Sequence, residues 1–345
     1  MLKIIWILIL IIFASSAVFS QEENLRRLFP FKTDKKCGYI NQKGVIIVTP
    51  QFDFCDVYNE GLAQVSLSEK SGYIDETGKI VIALQFDYFL SESFFEGLAS
   101  ITLPINEKGI RKQGYVDKLG KVTFLEGVSE TYSFHEGLAV VKKNGKSGFI
   151  DKNMNFVIPP KFDFVRSFAN GRAWAADKSG AEYYIDISGR KVITNFGTNG
   201  SDFSEGLATF ISKNLGYGYI DSNGKIAIKR YFNYACLFNE ELACVQDYDG
   251  KWGYIDKGGN YLIPPQFDEA EDFSSDGIAV VKVNEKYGFI NRKGEFIISP
   301  QFEKAEWLNG LGLIEIEGTK KYINQRNQII WQMMQYHTDI CSAHS

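Results

Sequence analysis

Lys251-Trp252-Gly253-Tyr254-Ile255-Asp256, Lys257-Gly258-Gly259 and Tyr261-Leu262-Ile263-Pro264-Pro265-Gln266-Phe267-Asp268 decide how this 345-residue chain is built, because their frame keeps returning. The frame runs on through Phe273 and Asp276-Gly277 to Ile278-Ala279-Val280-Val281. Its glycine–aromatic step recurs at Gly38-Tyr39, Gly72-Tyr73, Gly114-Tyr115, Gly148-Phe149, Gly218-Tyr219 and Gly288-Phe289. Steps of 34 residues (Gly38 to Gly72) and 35 residues (Gly218 to Gly253 to Gly288) mark a tandem array. One copy is degenerate, Tyr183-Tyr184-Ile185-Asp186, with Tyr183 in the glycine place. A last partial copy is Lys321-Tyr322-Ile323-Asn324. The one long step, 42 residues from Gly72 to Gly114, carries its excess in an extended loop at residues 102–111.

Each copy reads as three strands. The first ends in Asp or Asn and enters a turn such as Asp75-Glu76-Thr77-Gly78 or Asp221-Ser222-Asn223-Gly224. There the carboxylate can accept the turn's own N–H groups, and Gly supplies a positive φ. The second strand is Ile/Val-rich and often stops at a proline (Pro50, Pro159, Pro264, Pro300). A second turn, acidic-Gly or Asn-Gly (Glu60-Gly61, Glu96-Gly97, Glu136-Gly137, Asn170-Gly171, Glu205-Gly206, Asn309-Gly310), leads into Leu-Ala-x-Val. In the sixth copy Glu241 holds the Gly place, at a cost of about 1 kcal/mol if its φ is positive.

Strand residues alternate between the two faces of a sheet. In the first strand an aromatic (Tyr39, Tyr73, Tyr115, Phe149, Tyr184, Tyr219, Tyr254, Phe289, Tyr322) is always followed by an aliphatic (Ile40, Ile74, Val116, Ile150, Ile185, Ile220, Ile255, Ile290, Ile323). Both faces are therefore apolar, and each small sheet must lie between neighbours. The chain opens on a lone third strand, residues 28–32, and closes on a lone first and second strand, residues 322–331. These half-copies predict a composite unit that closes a ring. The expected fold is all-β, a propeller-like closed array of eight full copies plus that composite, with an open curved β-solenoid as the alternative.

The frame Trp-Gly-Tyr-Ile-Asp, then Ile-Pro-Pro-x-Phe-Asp, then Phe-x-Glu-Gly-Leu-Ala-x-Val resembles the bacterial WG-repeat family over about residues 28–331. The naming Trp is present only at Trp252; Cys37, Ser71, Gln113, Ser147, Tyr217 and Tyr287 stand in its place elsewhere. The resemblance implies a repeat architecture and an interaction role, and it carries over no catalytic residue.

The N-terminus reads as a signal peptide: Lys3, an apolar run over residues 4–13, then Ala14-Ser15-Ser16-Ala17, with cleavage expected near Ser20/Gln21. The run is short of the ~20 residues of a spanning helix, so no stable membrane insertion is expected after cleavage. The expected organisation is a signal peptide at 1–20, the repeat domain at 25–332 and a polar tail at 333–345. The product is expected to be periplasmic, associated with the cell surface or secreted. Export permits disulfides; Cys236 with Cys244 and Cys37 with Cys55 are the candidate pairs, the alternative being that all five cysteines are apolar fillers. A formal charge of −4 gives no reason to expect nucleic-acid binding.

No constellation for catalysis, cofactor or metal stands out. His135 falls where other copies hold Asn59, Phe95 or Ser204 and reads as ordinary repeat variation; His337 and His344 lie in the tail with Cys341. Most acids fill repeated turn places, which argues against the unique carboxylate pair of a glycosidase. Asp247-Tyr248-Asp249-Gly250 lacks the later ligands of a calcium loop and reads as a hairpin turn. Positions that break the repeat are better candidates for function: the 102–111 loop with Lys108 and Arg111, Trp174 and its copy, the 195–202 stretch, and Trp307. The expected function is a non-catalytic module binding a protein or envelope component. A carbohydrate binder that stacks sugars on Tyr and Trp is the alternative, and a carboxylate-dependent hydrolase the remote one.

Overall fold

Residues 27–33, 35–87, 91–103 and 111–332 are described by the computed structural model; they form nine small antiparallel sheets and, among them, no helix. The signal-peptide segment, Lys108, most of the 102–111 loop and the tail with Cys341, His337 and His344 lie outside the described residues. The seventh sheet is the pattern for the rest: a short lead-in strand Tyr234–Ala235, then Ala243–Gln246, the glycine strand Trp252–Ile255 and the last strand Tyr261–Phe267, paired in that order. The third strand of one sequence copy thus pairs with the first strand of the next copy and shares a sheet with its second. That offset corrects the expected composite. Leu28–Lys32 pairs with Cys37–Asn41 in the first sheet, and Thr319–Ile323 pairs with Ile329–Gln332 in the ninth, so the two chain ends share no sheet.

The ring closes instead by face-to-face packing. Phe29, Phe31 and Ile40 of the first sheet form one core cluster with Leu311 and Tyr322 of the ninth. The Phe31 and Trp331 ring centroids lie 4.8 Å apart. This is a nine-bladed propeller arrangement, as the closed-array expectation held, with the open solenoid set aside. The recurring aromatic–aliphatic pair of each glycine strand, from Tyr39-Ile40 to Tyr322-Ile323, is at most 3 % exposed, as two apolar faces require.

Three repeated devices join neighbouring sheets. The glycine-strand Tyr hydroxyl donates to a backbone carbonyl in the next lead-in segment: Tyr39 to Asp56 (2.8 Å), Tyr115 to Tyr132 (2.8 Å), Tyr184 to Ser201 (2.6 Å), Tyr219 to Cys236 (2.7 Å), Tyr254 to Glu271 (2.7 Å). Tyr322 makes the closing version, donating to the Pro30 carbonyl at 2.6 Å. Phe149 has no hydroxyl to give the Arg166 carbonyl. Phe149→Tyr is therefore expected to stabilise the fold by about 1 kcal/mol, read as a higher urea midpoint at unchanged m-value.

The second device is the acid of the acidic-Gly turn. Glu60 sits at φ 52°, and its carboxylate accepts the Glu96 and Gly97 N–H groups (2.6 and 2.9 Å) of the next turn. Glu96 accepts Gly137 N–H at 3.0 Å, Glu136 accepts Gly171 N–H at 2.8 Å, and the Asn170 side-chain oxygen accepts Gly206 N–H at 2.6 Å. Glu205 completes the series by accepting Glu241 N–H. Glu241 has φ 67°, the strained value foreseen for it. Glu241→Gly keeps the N–H and removes the strain, and is expected to raise stability by about 1 kcal/mol, measurable in a thermal melt.

The third device is the glycine of the strand-to-strand turn, at φ +84° in Gly78, where an added Cβ would lie 2.4 Å from Val48 of the preceding sheet. Across the closure Gly44 is also tightly placed, but there a Cβ would meet the Ile330 backbone carbonyl oxygen, at 2.1 Å. The turn chemistry is as read from sequence: Asp75 Oδ1 accepts the Thr77 and Lys79 N–H groups (2.9 and 3.1 Å). Asp247 Oδ1 likewise accepts Asp249 and Lys251 N–H groups within a hairpin.

Candidate binding cleft

The lead-in segments carry side chains that pairing and packing do not demand. In sheets two to six these segments border two adjoining clefts of about 730 and 390 Å³, which share Tyr132, His135 and Ser167. Asp56, Gln64, Glu92 and Phe95 line the larger; Arg166 and Asp202 line the smaller. Serines of each following segment orient the acids: Ser93 Oγ donates to Asp56 Oδ2 at 2.5 Å, and Ser133 Oγ to Glu92 Oε2 at 2.6 Å. Tyr132 donates its hydroxyl to Glu130 at 2.8 Å, and the His135 ring lies 5.4 Å from that of Phe95.

The repeat-breaking residues reach the smaller cleft through Asp202 and through Arg166, which packs on Trp174. Glu182 accepts the Trp174 indole N–H (2.8 Å) and the Asn199 and Gly200 N–H groups (2.9 and 3.0 Å). It thereby ties Trp174 to the irregular 195–202 stretch. Arg166 lies on the Trp174 ring, 4.4 Å from its centroid, and donates to the Gly200 carbonyl at 2.9 Å. Its guanidinium stands 3.7 Å from Asp202, too far for a hydrogen bond. Asp202 Oδ1 is buried and accepts no hydrogen bond.

Burial pushes the Asp202 carboxyl above the usual carboxylate range, against the pull of Arg166 and His135. An acid whose folded pKa is raised withdraws stability as pH climbs from its unfolded pKa through the folded one. Asp202→Asn is accordingly expected to gain stability relative to the parent as pH rises from 4 to 7, which paired urea titrations at the two pH values would read.

Of the residues singled out from sequence, Trp174 adjoins the clefts through Arg166. Trp307 is remote in the ninth sheet, donating to Asp276 (2.9 Å to each carboxylate oxygen) and packing its ring 5.3 Å from Phe289. Arg111 is exposed, 4.0 Å from Asp87. His135, set down as repeat variation, lines both clefts. Sequence reading missed it along with Tyr132, Asp56 and Glu92. The available signal was the mostly polar pair four and five places before each turn glycine, as in Glu92-Ser93, Tyr132-Ser133, Arg166-Ser167 and Ser201-Asp202. Among the described residues, Cys236, Cys244 and Asp272 are the one grouping of metal-ligand types, but the two sulfurs are joined to each other and offer no thiolate.

The family model described as WG containing repeat matches residues 38–70, 72–103, 114–146, 148–176, 217–252, 252–287 and 287–319. No curated protein sequence matches the chain. Among solved structures, the chain is similar to a eukaryotic initiation factor at 13 % identity and TM-score 0.63, over 89 % of this chain and 95 % of that one. It also aligns with BamB from Moraxella catarrhalis at 11 % identity and TM-score 0.37, over 90 % and 95 % of the two chains. At these identities the first likeness speaks to fold alone, and the second carries no argument.

Proposed function

The chain belongs to the WG containing repeat family, and from that premise we propose that it is an exported, non-catalytic interaction module binding a protein or another component of the cell envelope. A repeat propeller is commonly a scaffold for protein interaction. The observation that carries the reading is the gathering of polar side chains, unneeded by the repeat, along the lead-in segments of sheets two to six. Functional groups concentrate on connections held by a rigid framework. Export is supported by the N-terminal signal pattern and by the Cys37–Cys55 and Cys236–Cys244 disulfides, which suit an oxidising compartment. No helix among the described residues is long and apolar enough to cross a membrane.

The test is a pull-down from envelope and culture fractions with the protein as bait, beside an Arg166→Glu variant of equal thermal stability. One partner retained at high salt by the parent and lost from the variant supports the module and places its face. A partner retained equally by both would move the face elsewhere on the ring, and capture of nothing by the parent would overturn the reading. A hydrolase would show instead as a product released from an envelope polysaccharide.

A further inference from the structure

We propose that the adjoining clefts over sheets two to six bind a neutral, hydroxyl-rich ligand, an oligosaccharide, with Phe95 and Tyr132 as stacking faces and Asp202 as a hydroxyl acceptor. The proposal does not rest on the protein-partner reading, since it concerns a different chemistry and a different probe. The recurring aromatics from Tyr39 to Tyr322 are sealed between sheets, whereas Phe95 is 37 % and Tyr132 42 % exposed on the cleft wall. Exposed aromatic faces beside fixed polar groups suit a sugar ring, whose C–H surface packs on the ring while its hydroxyls bond outward. The polar groups are held in place: Ser133 fixes Glu92, and the stacked Arg166 is pinned by the Gly200 carbonyl. A volume of about 730 Å³ in the larger cleft falls within the range of small-ligand sites.

Charge decides between ligand classes. An anion would face Asp56, Glu92 and Asp202 on the cleft walls. A cation seeking Asp202 would meet the Arg166 guanidinium 3.7 Å from that carboxylate, with His135 bearing on it as well. A neutral donor meets neither penalty. Asp202 lines the smaller cleft with its side chain 41 % exposed, so its carboxylate is the acceptor such a hydroxyl would meet.

The experiment is native affinity electrophoresis of the purified protein in gels containing a soluble β-1,3-glucan, a xylan or an α-glucan, with polygalacturonate and poly-lysine as charged controls. At least one neutral polysaccharide should retard the protein. The double substitution Phe95→Ala with Tyr132→Ala should weaken that retardation at least tenfold in apparent dissociation constant, and Asp202→Asn several-fold. Tyr248→Ala, which removes an exposed ring on a hairpin of the seventh sheet, should leave it unchanged. If the double variant fails to melt cooperatively, Asp202→Asn alone decides. Retardation by none of the three neutral polysaccharides, by a charged control alone, or equally in parent and variants would overturn the proposal.

Discussion

Gly253→Val is expected to cost about 3 kcal/mol or more of stability, seen as a large drop in urea midpoint and in yield of folded protein. The reason is a backbone crossing. Trp252 pairs with Phe267 and Tyr254 with Ile263, so two steps along the glycine strand oppose four along the last strand. The surplus, Pro264-Pro265-Gln266, folds over Gly253, where a Cβ would lie 2.5 Å from the Ile263 carbonyl oxygen and 2.7 Å from Pro265 N. Prolines suit that place because they have no N–H to leave unpaired. The degenerate copy provides the contrast. Tyr183 pairs with Thr194, where the last strand Lys191–Thr194 ends, and no surplus crosses it. Valine at 253 that melts with the parent would refute this account of the repeated glycine.

Removing the Cys37–Cys55 bridge, by Cys37→Ser with Cys55→Ser, is the second large effect expected, about 3 kcal/mol for a loop of 18 residues. Cys37 lies in the first sheet's glycine strand and Cys55 in the second sheet's lead-in strand, with Cα atoms 6.0 Å apart. The bridge therefore staples two blades. Reductant should lower the parent's thermal midpoint towards that of the double variant, after accounting for Cys236–Cys244, which links the lead-in segment to its neighbouring strand within the seventh sheet. A parent indifferent to reductant would show the staple to be idle.

Much of this fold could be read from residues alone. Alternation of Tyr254 with Ile255 in every copy demanded neighbours on both faces, and Asp75-Glu76-Thr77-Gly78 announced its turn. The composite closing unit was misread because a repeat in sequence has no marked beginning. Only pairing reveals that Leu28–Lys32 starts a sheet rather than completing one. The acid of Glu60-Gly61 looked like turn chemistry, yet its carboxylate bonds a turn 36 and 37 residues on, a contact no local pattern encodes. The binding cleft was half legible. Trp174 and residues 195–202 stood out as departures, but what unites them is Glu182, an unremarkable acid until its three donors are seen. His135 was discounted because its neighbours in space come from other copies.

Tyr322 donates across the closure to the Pro30 carbonyl, as the other glycine-strand tyrosines donate to backbone carbonyls across their joints. The joint between the first and ninth sheets thus shares a cross-joint tyrosine bond and apolar packing with the joints the chain passes through without interruption. Starting point is then a property of the gene and not of the ring: a circularly permuted chain, opened in the exposed Asp247–Gly250 hairpin and spliced from residue 332 back to residue 28, would retain all nine joints. Which blade is made first by the ribosome becomes free to vary while the assembled molecule stays the same.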